Sequence, residues 1–311
     1  MKILMAGASG LIGSALAPFL KERGWSIARL VRSHDLLADD TAFWDPQGDF
    51  VDIPKVDWIG GDEGFTAVVN LAGEDISKKR WTPEFKAVIK DSRVKTTSLL
   101  SGTLGQLKRK PPLLVNASAV GIYGSRGGVL LDEASAPGEG FLADVAKAWE
   151  AATGAASDAG IRVVNTRFGM VLSAKGGAFK KMISLAKIGG AAPFGEGEQY
   201  MSWITIDDVV SALTFILSND SLKGPVNVTS TSPMKNIEFS RVMQYYFKAP
   251  IAMHVPAFVL SIALGDIAQE VLLASQRAVP AKLIRAGFRF RHTTLEPAIR
   301  YLTSERVEGE V

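Results

Sequence analysis

Apolar residues run without interruption from Ile3 to Ala6 and then give way to a stretch punctuated by glycine. From residue 11 the apolar positions respace to Leu11, Ile12, Ala15, Leu16, Phe19 and Leu20, the three-and-four interval of one helix face. Gly24 closes that run, and SIARLVR at 26–32 is apolar again. The pattern predicts a strand, a tight turn, a helix and a second strand, which together make a βαβ unit.

The alternation continues along the chain. Strands are predicted at 66–73 (TAVVNLAG), 112–118 (PLLVNAS), 161–169 (IRVVNTRFG), 201–206 and 224–230. Helices fall between them: one capped by Thr82 with Pro83 at its first position and reaching about Leu100, one over 140–158, one ending at Lys187 and one starting near Asp207. Near-continuous apolar strands are those covered on both faces, so the expected fold class is α/β, a doubly wound parallel sheet. Between Arg32 and Thr66 the pattern degrades, with TAFWD as the only candidate strand, and the third βα unit is expected to be reduced. From Asn236 the reading is mostly helical, with turn signals at Pro250, Pro256, Pro280 and Gly287. Two domains are expected, 1–235 and a small, mainly helical 236–311.

Composition narrows the chemistry. At 311 residues and 47% apolar content the chain can bury a sizeable core. Its formal charge of +3 is scattered, with no basic run longer than Lys78-Lys79-Arg80, so nucleic acid is not an expected partner. The absence of cysteine removes disulfides, thiolate catalysis and Cys-based metal sites, and fits a cytoplasmic protein. His34, His254 and His292 are isolated, so no metal site and no catalytic triad are expected. The N-terminus lacks the features of an export signal. The apolar segment 257–274 carries Asp266, Gln269 and Glu270 in its middle and reads as a buried helix of the smaller unit, not a membrane span.

The candidate chemistry begins at Gly7, Gly10 and Gly13, a GxxGxxG turn between the first strand and the first helix. Gly7 permits the turn, Gly10 lets a pyrophosphate approach backbone N–H groups, and Gly13 lets the helix lie against the strand. Ser9 offers a hydroxyl to a phosphate, and Leu11 and Ile12 open the helix whose free amides face it. At the end of the second strand an acid would accept bonds from a ribose 2′-hydroxyl, whereas arginine pairs with a 2′-phosphate. The residue there is Arg32, so NADP is favoured over NAD as cofactor.

The glycine turn, NLAG at 70–73, SAVGIYG at 118–124 and TRFGMVLS at 166–173 resemble the extended short-chain dehydrogenase/reductases. NLAGEDI, RWTPEFKAVIKDSRVKTT, YMSWITIDDVV, LLASQRAVP and GFRF are similar to an atypical branch of that family often labelled nucleoside-diphosphate-sugar epimerase. The resemblance implies a Rossmann domain binding NADP, with a C-terminal domain of about fifty residues beginning near Pro250. Carried over by motif, cofactor contacts fall on the glycine turn, Arg32, Leu71, Ala72 and Gly73, Phe168, and Arg93 of KDSR. The expected partner is a small-molecule substrate, a polyol or a nucleotide sugar, and a homodimer is a candidate assembly.

The same family works with a tyrosine, a lysine four residues later and a serine that polarises the substrate carbonyl. Ser118 ends a predicted strand and is the candidate polariser. The tyrosine–lysine pair is missing: the helix after that strand carries Phe141, and Lys147 has Ala143 four residues before it. Tyr123 is the remaining candidate acid/base, with packing as its alternative, and Glu74 after NLAG is a candidate base or hydroxyl ligand. Lys78, Lys79 and Arg80 either attract an anionic substrate or form a solvated face. Trp81 and Trp203 either stack on a ligand or pack, and packing is favoured. Two functions follow: an NADP-dependent oxidoreductase or epimerase, and an NADP-binding regulatory protein that has lost turnover.

Overall fold

The computed structural model describes residues 1–188, 190–249 and 254–304. The first half comprises β1 (Lys2–Ala6), α1 (Leu11–Lys21), β2 (Ser26–Val31), β3 (Thr41–Asp45), β4 (Phe50–Val51), α2 (Ile53–Gly60), β5 (Ala67–Asn70), α3 (Pro83–Gln106), β6 (Leu113–Ala119), β7 (Leu130–Leu131) and α4 (Phe141–Ala151). There follow α5 (Gly154–Asp158), β8 (Arg162–Phe168), β9 (Met170–Leu172), α6 (Gly177–Lys187), β10 (Tyr200–Met201), β11 (Trp203–Thr205), α7 (Ile206–Leu217) and β12 (Gly224–Val228). The C-terminal region adds β13 (Met234–Lys235), α8 (Asn236–Phe247), α9 (Ala257–Leu264), β14 (Arg277–Ala278), α10 (Ala281–Arg285) and α11 (Leu295–Ser304).

Eight strands form one sheet in the order β12-β8-β6-β5-β1-β2-β3-β4. Every neighbouring pair is parallel except β3 with β4. The chain walks outward from β1 through β2 and β3, then crosses back to β5 and proceeds to β6, β8 and β12. The direction reverses between β1 and β5, so the crevice at their carboxyl ends is the topological switch point.

Alternate residues of β1 supply opposite faces. Ile3 and Met5 join one core with Leu16, Leu20 and Leu213, while Leu4 and Ala6 join another with Leu30, Leu100 and Leu104. Both faces are apolar because helices cover both, which explains why these strands lack polar alternation. A third core joins Phe179 of α6 and Trp203 of β11 to Phe239 of α8 and Ala298 of α11.

Several elements depart from the sequence expectation. The Thr82 hydroxyl accepts from Phe85 N at 3.3 Å and caps α3, which runs to Gln106 and not to Leu100. The expected helix at 140–158 is two helices, α4 and α5. The third βα unit holds more order than its pattern suggested: β3 turns back through β4 into α2, whose first turn is capped by Asp52 accepting from Lys55 N. The expectation of a buried helix at 257–274 is overturned. α9 stops at Leu264, before Gly265 at φ 63°, and Leu260 is its only buried residue, with Phe258 67% and Ile262 72% exposed. Its run AFVLSIAL is apolar on all sides, so no periodicity marked which side would pack. Pro250, the expected start of the last domain, lies outside the described residues. Among the described residues no helix is long and apolar enough to cross a membrane.

Candidate functional site

The glycine turn sits at the switch point, and its three glycines stand in different surroundings. Gly7 has φ 79°, and a β-carbon there would lie 2.6 Å from the Leu71 carbonyl group. A β-carbon on Gly13 would lie 2.3 Å from Gly7 O. These two are demanded by the fold itself. Gly10 is different: its φ of −74° suits any residue, and a β-carbon would meet nothing nearer than Gly7 O at 3.4 Å. The fold therefore does not demand glycine at position 10, and Ser9 and Gly10 are exposed on the open side of the turn.

At this point α1 begins with no side-chain cap and no acidic residue in its first turn. Its first amides and its dipole therefore favour an anion in front of them. Leu11 and Ile12 are half-buried, and the Leu11 side chain reaches the loop before α6, where β-carbons on Gly176 and Gly177 would lie 3.1 and 3.0 Å from its methyls. That loop, which carries exposed Lys175, went unnoticed in the sequence because no periodicity marks it.

Arg32 follows β2 directly, is exposed, and forms no ion pair among the described residues. The nearest acid along the chain, Asp35, accepts from the Ser33 hydroxyl at 3.3 Å. On the other side, Leu71 N donates to Ala6 O at 2.9 Å, and Ala72 N to Asn70 Oδ1 at 3.2 Å. Gly73 leaves room for Arg93, whose side chain would lie 3.5 Å from a β-carbon there. The guanidinium donates to Ile89 O and Glu74 O at 2.9 and 3.0 Å and lies 5.1 Å from the Trp149 ring. Burial pulls its pKa down to about 10, against the nearby charges of Glu74 and Asp75, so it stays a cation at neutral pH. Backbone carbonyls, rather than a surface salt bridge, hold Arg93. Phe168 ends β8 at the same edge, 9% exposed.

Beneath the crevice, Asn70, Asn116 and Asn165 stand side by side in register on β5, β6 and β8. Asn70 Nδ2 donates to Asn116 Oδ1 at 2.8 Å and Asn116 Nδ2 to Asn165 Oδ1 at 3.0 Å. Asn70 Nδ2 and Trp149 Nε1 also donate to Thr97 Oγ1, each at 2.9 Å. This buried ladder fixes the strand ends and the helices above them. Its signal was in the sequence: the apolar runs VVN, LLVN and VVN each reach an asparagine.

One layer nearer the crevice, two candidate catalytic residues are withdrawn. Ser118 is 2% exposed and donates to Glu150 Oε1 at 2.7 Å. Glu150 also accepts from Arg167 Nε and Nη2 at 2.7 and 2.9 Å. The serine proton is directed into this pair, so Ser118 does not polarise a carbonyl in the crevice. Tyr123 is fully buried, its hydroxyl 2.8 Å from Asn227 Oδ1 and 2.9 Å from Asp132 O while accepting from Arg167 Nη1 at 3.0 Å. Burial raises its pKa above the ordinary 10.0, against the lowering by Arg167. Tyr123 thus has the surroundings of a packing and positioning residue rather than those of an acid/base open to the crevice. Burial opposes the Arg167 charge, but the Glu150 hydrogen bonds and charge outweigh it and hold the guanidinium above its ordinary range.

Glu74 stays at the crevice loop, partly exposed, with its carboxylate bonded to Lys78 Nζ at 3.1 Å. Lys147 pairs with Asp144 at 2.6 Å on the outside of α4. Trp81 and Trp203 pack: their indole N–H groups donate to Ile76 O and Ser232 O at 2.8 and 3.0 Å. A further contact was not foreseen. Glu270 accepts from Phe141 N and Leu142 N at 3.0 and 3.1 Å and so caps α4 from the C-terminal region. Among the described residues no group of three or more His, Asp or Glu could hold a metal ion.

A doubly wound sheet with a glycine turn at its switch point defines a Rossmann protein of the extended dehydrogenase/reductase type. Residues 3–229 match the NAD dependent epimerase/dehydratase family, and 255–302 match a domain of unknown function. The chain belongs to the NAD dependent epimerase/dehydratase family. An epimerase family protein of Mycobacterium leprae is 39% identical over 302 residues, covering 97% of this chain and 95% of that one. A chloroplastic SDR39U1 homolog of Arabidopsis thaliana is 35% identical, covering 96% and 86%. The crystal structure of human epimerase family protein SDR39U1 with NADPH matches at TM-score 0.86 and 27% identity, over 98% and 99% of the two chains. UDP-glucose 4-epimerase of Thermus thermophilus, 19% identical at TM-score 0.72, shares the fold.

Proposed function

We propose that the chain binds NADP(H) at the switch point and is an oxidoreductase or epimerase acting on a small hydroxyl or carbonyl compound. The observation that carries this reading is the uncapped start of α1, faced by a Gly10 that the fold does not require. Ser9 and the amides of Leu11 and Ile12 take the diphosphate, and Arg32 takes the 2′-phosphate. Leu71, Ala72, Gly73 and Phe168 line the cleft, and Arg93 adds positive charge beneath it. When bound, the nicotinamide supplies or accepts the hydride. Glu74 is the residue assigned to proton exchange with substrate, since Ser118 and Tyr123 are engaged below. Residues 1–235 are assigned as the dinucleotide unit and 236–311 as the smaller unit.

A second reading, an NADP-responsive regulatory protein, is favoured by Phe141 at the head of α4, which brings no exchangeable proton. NADPH titration followed by a screen for NADPH oxidation at the nicotinamide absorbance band separates the two. Binding with turnover supports the enzyme, binding without turnover supports the regulator, and failure to bind overturns both.

A further inference from the structure

We propose that the substrate side of the crevice takes an apolar carbonyl or hydroxyl compound and not a nucleotide sugar. The inference rests on the hydride-transfer reading and concerns the second ligand only.

In a parallel sheet the helix that follows a strand begins at the crevice edge, and α4 follows β6 through the short β7, so its head stands there. Phe141 occupies that head, edge-on to Trp81 with ring centroids 5.3 Å apart. Partly open Ile76, Leu142 and Ile267 complete an apolar wall over buried Trp81, Phe85 and Ile89.

Sugar hydroxyls need partners when they leave water, and an apolar wall without free donors or acceptors rejects them. Several polar groups beside this wall already have protein partners. The Trp81 indole donates to Ile76 O at 2.8 Å, and the first amides of α4 donate to Glu270. The Gln199 carboxamide donates to Phe194 O and Leu272 O at 3.0 and 2.8 Å. Lys86, whose ammonium lies 5.1 Å over the Phe141 ring, is paired with Asp266.

The end of α9 lies beside the wall. Arg80 donates to Ile262 O at 3.3 Å and the Lys86–Asp266 pair lies beside it, which fastens the end of α9 to the segment bearing Trp81. Phe258 and Ile262, four residues apart on α9, are the exposed apolar side chains of that helix with the greatest exposure. Apolar surface rimmed by committed polar groups is the character of a hydrophobic ligand groove.

The test uses the full chain saturated with NADPH and three probes: a naphthyl methyl ketone, decanal and UDP-glucose, each titrated by calorimetry. At least one apolar probe is expected to bind at least tenfold tighter than UDP-glucose, and the better of the two tells an aromatic from an acyl substrate. Phe141→Asn and, separately, Ile76→Asn are expected to weaken that probe tenfold while NADPH affinity stays within twofold, which also reports that each variant is folded. Phe141→Leu should retain the probe within threefold. UDP-glucose binding as tightly as the apolar probes, no apolar probe binding, or folded asparagine variants that bind the probe unchanged would each overturn the proposal. A chain that fails to bind NADPH instead overturns the cofactor reading, which is scored first.

Discussion

A β-carbon on Gly7 would stand 2.6 Å from the Leu71 carbonyl carbon, so the turn after β1 and the exit of β5 touch backbone to backbone. That contact closes the floor of the crevice and separates the roles of Gly7 and Gly10. Gly7→Ala loses the contact and places an L-residue at φ 79°, a conformation costing roughly 1–2 kcal/mol by itself. Its melting temperature should fall by several degrees or the variant should fail to fold. Gly10→Val should melt within a few degrees of the parent and yet lose at least about tenfold in NADPH affinity, or about 1.4 kcal/mol. Equal NADPH affinity in folded Gly10→Val contradicts the anion site at α1.

Arg32 is exposed and without an acidic partner among the described residues, so its charge is available to a ligand phosphate. Arg32→Asp removes a charge-assisted contact of about 1.5–3 kcal/mol, and titration should show NADPH affinity falling by about tenfold or more while NADH gains relative to it. An unchanged ratio of the two affinities sinks this assignment.

The Arg167–Glu150 pair is buried on both sides, with side-chain exposures of 7% and 14%. Arg167→Met strands the carboxylate of Glu150 and the acceptor side of Tyr123, and should cost about 3–5 kcal/mol in chemical denaturation. Adding Glu150→Leu should recover much of that loss, because the stranded charge is what destabilises. A double variant no more stable than the single one points instead to a packing requirement for the Arg167 stem.

Tyr123 gives the fold a signature in base. Its folded pKa lies above 10.0, so the folded state holds the phenol proton more tightly than the unfolded chain does. The contribution is fully present below the unfolded value near 10 and is lost as pH rises through the folded value. Denaturation midpoints should therefore fall above about pH 10, and Tyr123→Phe should flatten that part of the decline. An ultraviolet titration in which all tyrosines ionise together at the ordinary value argues against the burial described.

Glu270 reaches α4 from another part of the chain and supplies the cap that Gly140 lacks. Glu270→Ala should cost about 1 kcal/mol, typical of a lost helix cap, and speed hydrogen exchange at the Phe141 and Leu142 amides. Unaltered exchange at those two amides would mean the carboxylate is dispensable.

Much of the site was legible in order along the chain because local chemistry dictated it. The glycine turn, Arg32 and the NLAG loop are contiguous motifs, and their place after apolar runs identifies the strand ends that carry them. The surroundings of Ser118 and Tyr123 were not legible, for the opposite reason. Both lie in a motif near the right strand end, but which way a hydroxyl points depends on Glu150, Arg167 and Asn227, residues 32, 44 and 104 positions from their partners. No window of sequence contains those separations. The exposure of α9 was not legible because a helix apolar on every side has no pattern that marks which side packs.

By itself the amino-acid order determined the alternating βα architecture, the GxxGxxG turn, the lack of a tyrosine four residues before Lys147 in α4 and the arginine at the end of β2. These follow from short-range sterics, apolar periodicity and residue identity. Only the tertiary structure decided that β5 returns to the other side of β1, that Gly10 is free of the fold while Gly7 and Gly13 are not, and that Ser118 and Tyr123 face inward. Those outcomes come from packing and charge pairing between distant segments, where burial and geometry, rather than neighbours in sequence, fix each side chain.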